Sequence, residues 1–67
     1  MLQVIINGKP KEIRELKNIF ELLQDSKINP RAVVVEINNS LIQQEKWPET
    51  ILNQGDIIEI ISFMGGG

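Results

Sequence analysis

Few groups in this 67-residue chain are suited to covalent chemistry. It has no histidine and no cysteine, which removes the commonest general base, the thiolate nucleophile, a disulfide scaffold and the usual metal ligands. Carboxylates, lysines and the chain end remain. The chain closes on Phe63-Met64-Gly65-Gly66-Gly67, so the α-carboxylate of Gly67 stands on a tether without side chains. Glycine has no Cβ and reaches backbone conformations closed to other residues, so such a tether can lie in a narrow channel against a partner's backbone. The carboxylate is ionised at neutral pH. Chain ends are also commonly frayed when nothing ties them down, and the tail takes its meaning from what precedes it.

The other candidates are weaker. Glu36 and Glu59 fall in strand-like stretches and could pass for paired carboxylates, but with no third group and no metal partner they read as solvated or cross-strand ion-paired residues. Lys9, Lys11, Arg14 and Lys17 could gather an anion, yet Glu12 and Glu15 interleave with them and make a solvated edge the simpler reading. Trp47 could anchor a partner; beside Pro48 it fits better as a large aromatic packing a small core.

At this length the chain is one domain, able to bury only about 60% of the surface its unfolded form exposes, which leaves no room for a deep catalytic cleft as well as a core. A formal net charge of -2 and a pI of about 4.9 exclude the basic stripe of a nucleic-acid binder. An acidic small protein more naturally meets a basic protein surface. No apolar run approaches the length of a membrane span, and Met1-Leu2-Gln3-Val4-Ile5-Ile6 lacks the charged start of a signal peptide. A cytoplasmic protein without a membrane partner is expected.

The elements that must position the tail follow from local patterns. Leu2 to Ile6 predicts a strand, and Asn7-Gly8 a two-residue hairpin turn. Pro10 cannot donate to a ladder, so the returning strand, about Lys11 to Arg14, belongs at a sheet edge. Asn18 is an N-cap, and Glu21 three residues on completes a capping box. A helix from about Ile19 to Lys27 follows, presenting Ile19, Phe20, Leu22 and Leu23 to the core with Phe20 as its aromatic centre. Asn29-Pro30 stops it.

In the stretch Ala32 to Ile37, Val33, Val35 and Ile37 alternate with Val34 and Glu36, a strand with one buried face. Asn38-Asn39-Ser40 is turn chemistry. Leu41-Ile42 is a very short strand, Glu49 to Leu52 has room for one helical turn, and Asn53-Gln54-Gly55-Asp56 reverses the chain. The last strand runs from Ile57 to about Phe63. It is apolar on both faces except at Glu59, which suits a central position parallel to the first strand, since the helical crossover permits parallel pairing.

The class is therefore α+β, a mixed sheet of four to five strands on one main helix. Ile57, Ile61 and Phe63 fall on the opposite face from Ile58 and Ile60. If the helix covers the Ile58 face, the other set forms an apolar patch leading to the tail, a candidate partner interface with Met64. Alternatively the Trp47 loop folds over it.

This order, ending in Gly55-Asp56-Ile57-Ile58-Glu59-Ile60-Ile61 and the closing glycines, resembles the β-grasp sulfur carriers of thiamin biosynthesis, the ThiS proteins. The likeness covers essentially the whole chain, with Glu21-Leu22-Leu23, the third strand running into Asn38, and Leu41-Ile42 followed by Trp47 as further matching parts. It implies a ubiquitin-like β-grasp domain over 1–64 and a flexible Gly-Gly-Gly tail over 65–67. It also implies that the protein is a co-substrate and not an enzyme, holding no cofactor or metal. A ThiF-like enzyme would use ATP to adenylate Gly67. A sulfur donor such as a cysteine desulfurase or sulfurtransferase would convert it to a thiocarboxylate, and a ThiG-like thiazole synthase would accept the sulfur. Gly65 and Gly66 would serve as the tail that enters the partner.

Many members of the family carry a Pro-Arg pair before the Trp segment. This chain has Gln43-Gln44, so a partner contact made by that arginine is open to question here. A MoaD-like carrier for molybdopterin synthesis shares the terminal Gly-Gly, and a β-grasp interaction domain with an incidental glycine end is the alternative outside the carriers.

Overall fold

The computed structural model describes residues 1–63 of the chain. Leu2–Ile6 forms β1 and turns back through Asn7 and Gly8, at φ 51° and 83°, into β2 at Lys9–Ile13. Both central residues of this tight hairpin need positive φ, which is why Asn-Gly stands there. Pro10 lies within β2, opposite Ile5, and β2 takes the sheet edge expected of a strand with a missing donor.

The helix α1 spans Ile19–Asp25 and begins with the full capping box: the Asn18 side chain accepts from the Glu21 N–H at 2.8 Å, and the Glu21 carboxylate accepts from the Asn18 N–H at 3.1 Å. Two turns of helix are marginal alone; Ile19, Leu22 and Leu23, all buried, hold it to the sheet. It ends earlier than the expected Lys27. Lys27 itself adopts φ 58°, its N–H reaching the Gln24 carbonyl and the Ile28 N–H the Leu23 carbonyl, which is a Schellman termination without its usual glycine. Pro30 then opens a short 3-10 turn, Pro30–Ala32.

Val33–Ile37 is β3 and Ser40–Ile42 is β4, joined through Asn38 and Asn39 at φ 53° and 71°. A second 3-10 stretch covers Gln44–Glu49, upstream of the turn expected at Glu49 to Leu52; Ile51 instead makes an isolated bridge to Asn18. β5, Ile57–Ser62, closes the described fold. The sheet order is β2-β1-β5-β3-β4, with β5 central, parallel to β1 and antiparallel to β3.

The core lies on one face of the sheet, where Val4, Val35 and Ile58 meet Ile19, Leu22, Leu23, Leu52 and Trp47. Phe20, expected at the aromatic centre, is only partly buried. Trp47 fills that place at 2% exposure, its indole N–H donating to the Ile42 carbonyl at 3.0 Å. The 3-10 stretch carries Trp47 inward, while Phe20 packs against the core from its margin. The boundary expected between residues 64 and 65 falls outside the described residues.

Candidate functional site

Two devices fix β5. At its start, Gly55 takes φ 84° with its N–H on the Gln3 carbonyl at 2.8 Å. Asp56, 8% exposed, accepts from the Asn53 N–H at 2.8 Å and from the Asn38 amide at 3.1 Å. Asn38 in turn accepts from the Ile57 N–H at 2.9 Å, so the β3–β4 turn and the start of β5 share one polar cluster. Past the end of β1, the Asn7 side chain continues the ladder: its oxygen accepts from the Ile60 N–H at 2.8 Å and its amide donates to the Ile60 carbonyl at 3.2 Å. At the far end the Phe63 N–H donates to the Ala32 carbonyl at 3.0 Å. The chain therefore leaves the middle of the sheet on a strand tied down to its last described residue. Met64, Gly65, Gly66 and Gly67 lie outside the described residues.

The face of the sheet away from α1 is open. Ile57 is 50% exposed, Ile61 46% and Phe63 61%, so the Trp47 segment does not fold over them and the three expected interface residues form one apolar strip along β5. Register extends the strip sideways. Ile5 stands opposite Ile57, Val34 opposite Ile61, and Leu41 opposite Glu36, which puts Ile5, Val34 and Leu41 on the same face. Sequence reading missed these three because each needs the strand pairing; the only sequence signal was the alternation that sets Val35 and Ile37, like Ile58 and Ile60, on the covered face of their strands.

The pairing also sets Glu36 directly against Glu59. Both are half-buried, and among the described residues neither has an ion-pair partner, so of the two alternatives expected for them, solvated or cross-strand ion-paired, the ion pair is not formed.

Next to Phe63, a groove of about 220 Å³ is bounded by Arg31, Val34, Leu41, Gln43, Gln44 and Trp47 among others. Gln43 and Gln44 thus lie beside the root of the tail, both exposed. The basic residues do not converge: Lys9, Lys11 and Arg14 are exposed along and just beyond the β2 edge, and Lys17 pairs with Asp25. Among the described residues no three of His, Cys, Asp and Glu gather to hold a metal ion, and no helix is long and apolar enough to cross a membrane.

A five-stranded mixed sheet wrapped on one helix, with its C-terminal strand central and leading into a glycine tail, defines a ubiquitin-like β-grasp protein. The crystal structure of the thiamine biosynthesis protein ThiS from Geobacter metallireducens matches it with a TM-score of 0.86 at 35% sequence identity, over 98% of this chain and 100% of that one. The sulfur carrier protein ThiS of Bacillus subtilis is 38% identical over 68 residues, covering the whole of both chains. A thiazole synthase of Paramagnetospirillum magneticum is 29% identical over 66 residues, 98% of this chain but only 20% of that protein; the chain spans about a fifth of that enzyme's length. The ThiS family model matches residues 4–67. The chain belongs to the ThiS family.

Proposed function

We propose that this protein carries activated sulfur for thiazole formation in thiamin biosynthesis, through the terminal carboxylate of Gly67. The observation that carries the reading is the position of β5: a central, well-anchored strand brings Phe63, four residues before the chain end, to the border of an exposed apolar face. A partner that grips this face receives the tail at a fixed place. Membership of the ThiS family, the sulfur carrier named among its relatives and the likeness to one part of a thiazole synthase all favour the thiamin branch.

The chemistry is carried out on the chain by partners. A carboxylate is a poor acyl donor. In a ThiF-like adenylating enzyme a Gly67 carboxylate oxygen attacks the α-phosphorus of ATP, pyrophosphate leaves, and the product is an acyl-adenylate with AMP as leaving group. The terminal sulfur of a persulfide, supplied by a cysteine desulfurase or sulfurtransferase, then attacks the Gly67 carbonyl carbon and expels AMP. A thiol cleaves the resulting acyl disulfide, releasing the thiocarboxylate and leaving a disulfide between the thiol and the donor. A ThiG-like thiazole synthase takes the sulfur. Gly65 and Gly66 act as the spacer. ATP belongs to the adenylating enzyme, and the cytoplasm, where ATP and thiol reductants coexist, suits this chemistry.

Deleting Gly66 and Gly67 tests the reading. The truncated chain should keep its melting temperature and its hold on the adenylating enzyme, yet lose all complementation of a thiamin-requiring strain that lacks the carrier. Full complementation by the truncated chain would refute a carrier working through Gly67.

A further inference from the structure

Within its strands the open sheet face carries charge of one sign, with Arg31 at its rim beside Phe63. By register its strand residues include Glu12, Glu36 and Glu59 and no lysine or arginine. Glu36 and Glu59 sit at its centre, in register on adjacent strands and bordered by Val34, Leu41, Ile57 and Ile61. Like charges placed directly opposite destabilise a sheet, and a half-buried apolar surround weakens the screening by water that would relieve them. In the free protein the pair is a liability that isosteric glutamines would remove.

We propose that these two carboxylates form the polar centre of the docking face and receive a guanidinium from the adenylating enzyme, whose surrounding surface is apolar. This rests on the carrier reading. The adenylating enzyme is the partner that meets the chain unmodified, the form described here. A second copy of this chain does not fit: face to face it would bring four carboxylates together on an apolar ground. An arginine fits well, because its planar, forked donors can satisfy two carboxylates at once and it is less strongly hydrated than an ammonium. Ile57, Ile61 and Phe63 then supply apolar contact, and the carboxylates supply register and partner choice.

The test is calorimetric titration of wild type, E36Q/E59Q and Ile61→Asp against the adenylating enzyme of the same organism at low and moderate salt, with thermal melts of each variant. The expected result for E36Q/E59Q is a melting temperature equal to or above wild type, together with a Kd weakened at least about tenfold and a shallower dependence on salt. A variant that folds better and binds worse is not what a structural role produces. If E36Q/E59Q binds within twofold of wild type with the same salt dependence while Ile61→Asp does not bind, the face docks without the glutamates. The proposal is then overturned and the carrier reading stands. If wild type neither binds nor gains sulfur at Gly67 with an enzyme active on another carrier, both readings fall.

Discussion

Lys27 occupies the position after α1 where glycine is the usual residue, held at φ 58° by the two termination hydrogen bonds. A side chain in this region costs roughly 1–2 kcal/mol, part of which glycine gives back through its freer unfolded chain. Lys27→Gly should therefore raise stability by about 1 kcal/mol in urea unfolding; a loss would show that the Lys27 side chain holds the turn in another way. Asp56 works in the opposite direction. It is buried and accepts from both the Asn53 N–H and the Asn38 amide, so Asp56→Ala leaves those donors without their partner and should cost about 1–3 kcal/mol. Denaturant unfolding reads that cost directly, and unchanged stability would remove the cluster from the account.

At the scale of elements, the sheet separates two jobs. Its covered face, with Val4, Val35 and Ile58, holds α1 and Trp47; its open face, with Ile57, Ile61 and Phe63, is free for a partner. Ile61→Asp and Phe63→Ala should therefore weaken binding to the adenylating enzyme while changing the melting temperature little. A large drop in melting temperature, or unchanged affinity, would contradict this division.

Much of the element pattern was readable from local signals: Asn7-Gly8, the Asn18 and Glu21 capping box, and the alternation in Val33 to Ile37 each encode geometry within a few residues. The end of α1 was not readable, because Lys27 replaces the glycine that marks such ends. The exchange of Phe20 for Trp47 at the core also escaped. Both lie in helical segments bearing apolar residues, and only the packing of the 3-10 stretch against the sheet decides between them. The open-face strip could be read only along β5; Ile5, Val34, Leu41 and the opposed glutamates came from pairing across strands far apart in sequence.

For the whole molecule, a domain of this size has on the order of 3–10 kcal/mol of stability, most of it from one small core. The interior is taken up by that core and the open sheet face stays exposed, a division that suits the proposed co-substrate role. The central claim is that Gly67 bears the transferred sulfur. Intact-protein and C-terminal-peptide mass spectrometry after incubation with ATP, the adenylating enzyme and a persulfide donor tests it most directly. The account predicts a mass gain equal to exchange of one oxygen for one sulfur, confined to Gly67 and lost without ATP; an unchanged mass with a demonstrably active enzyme, or sulfur placed elsewhere on the chain, would contradict it.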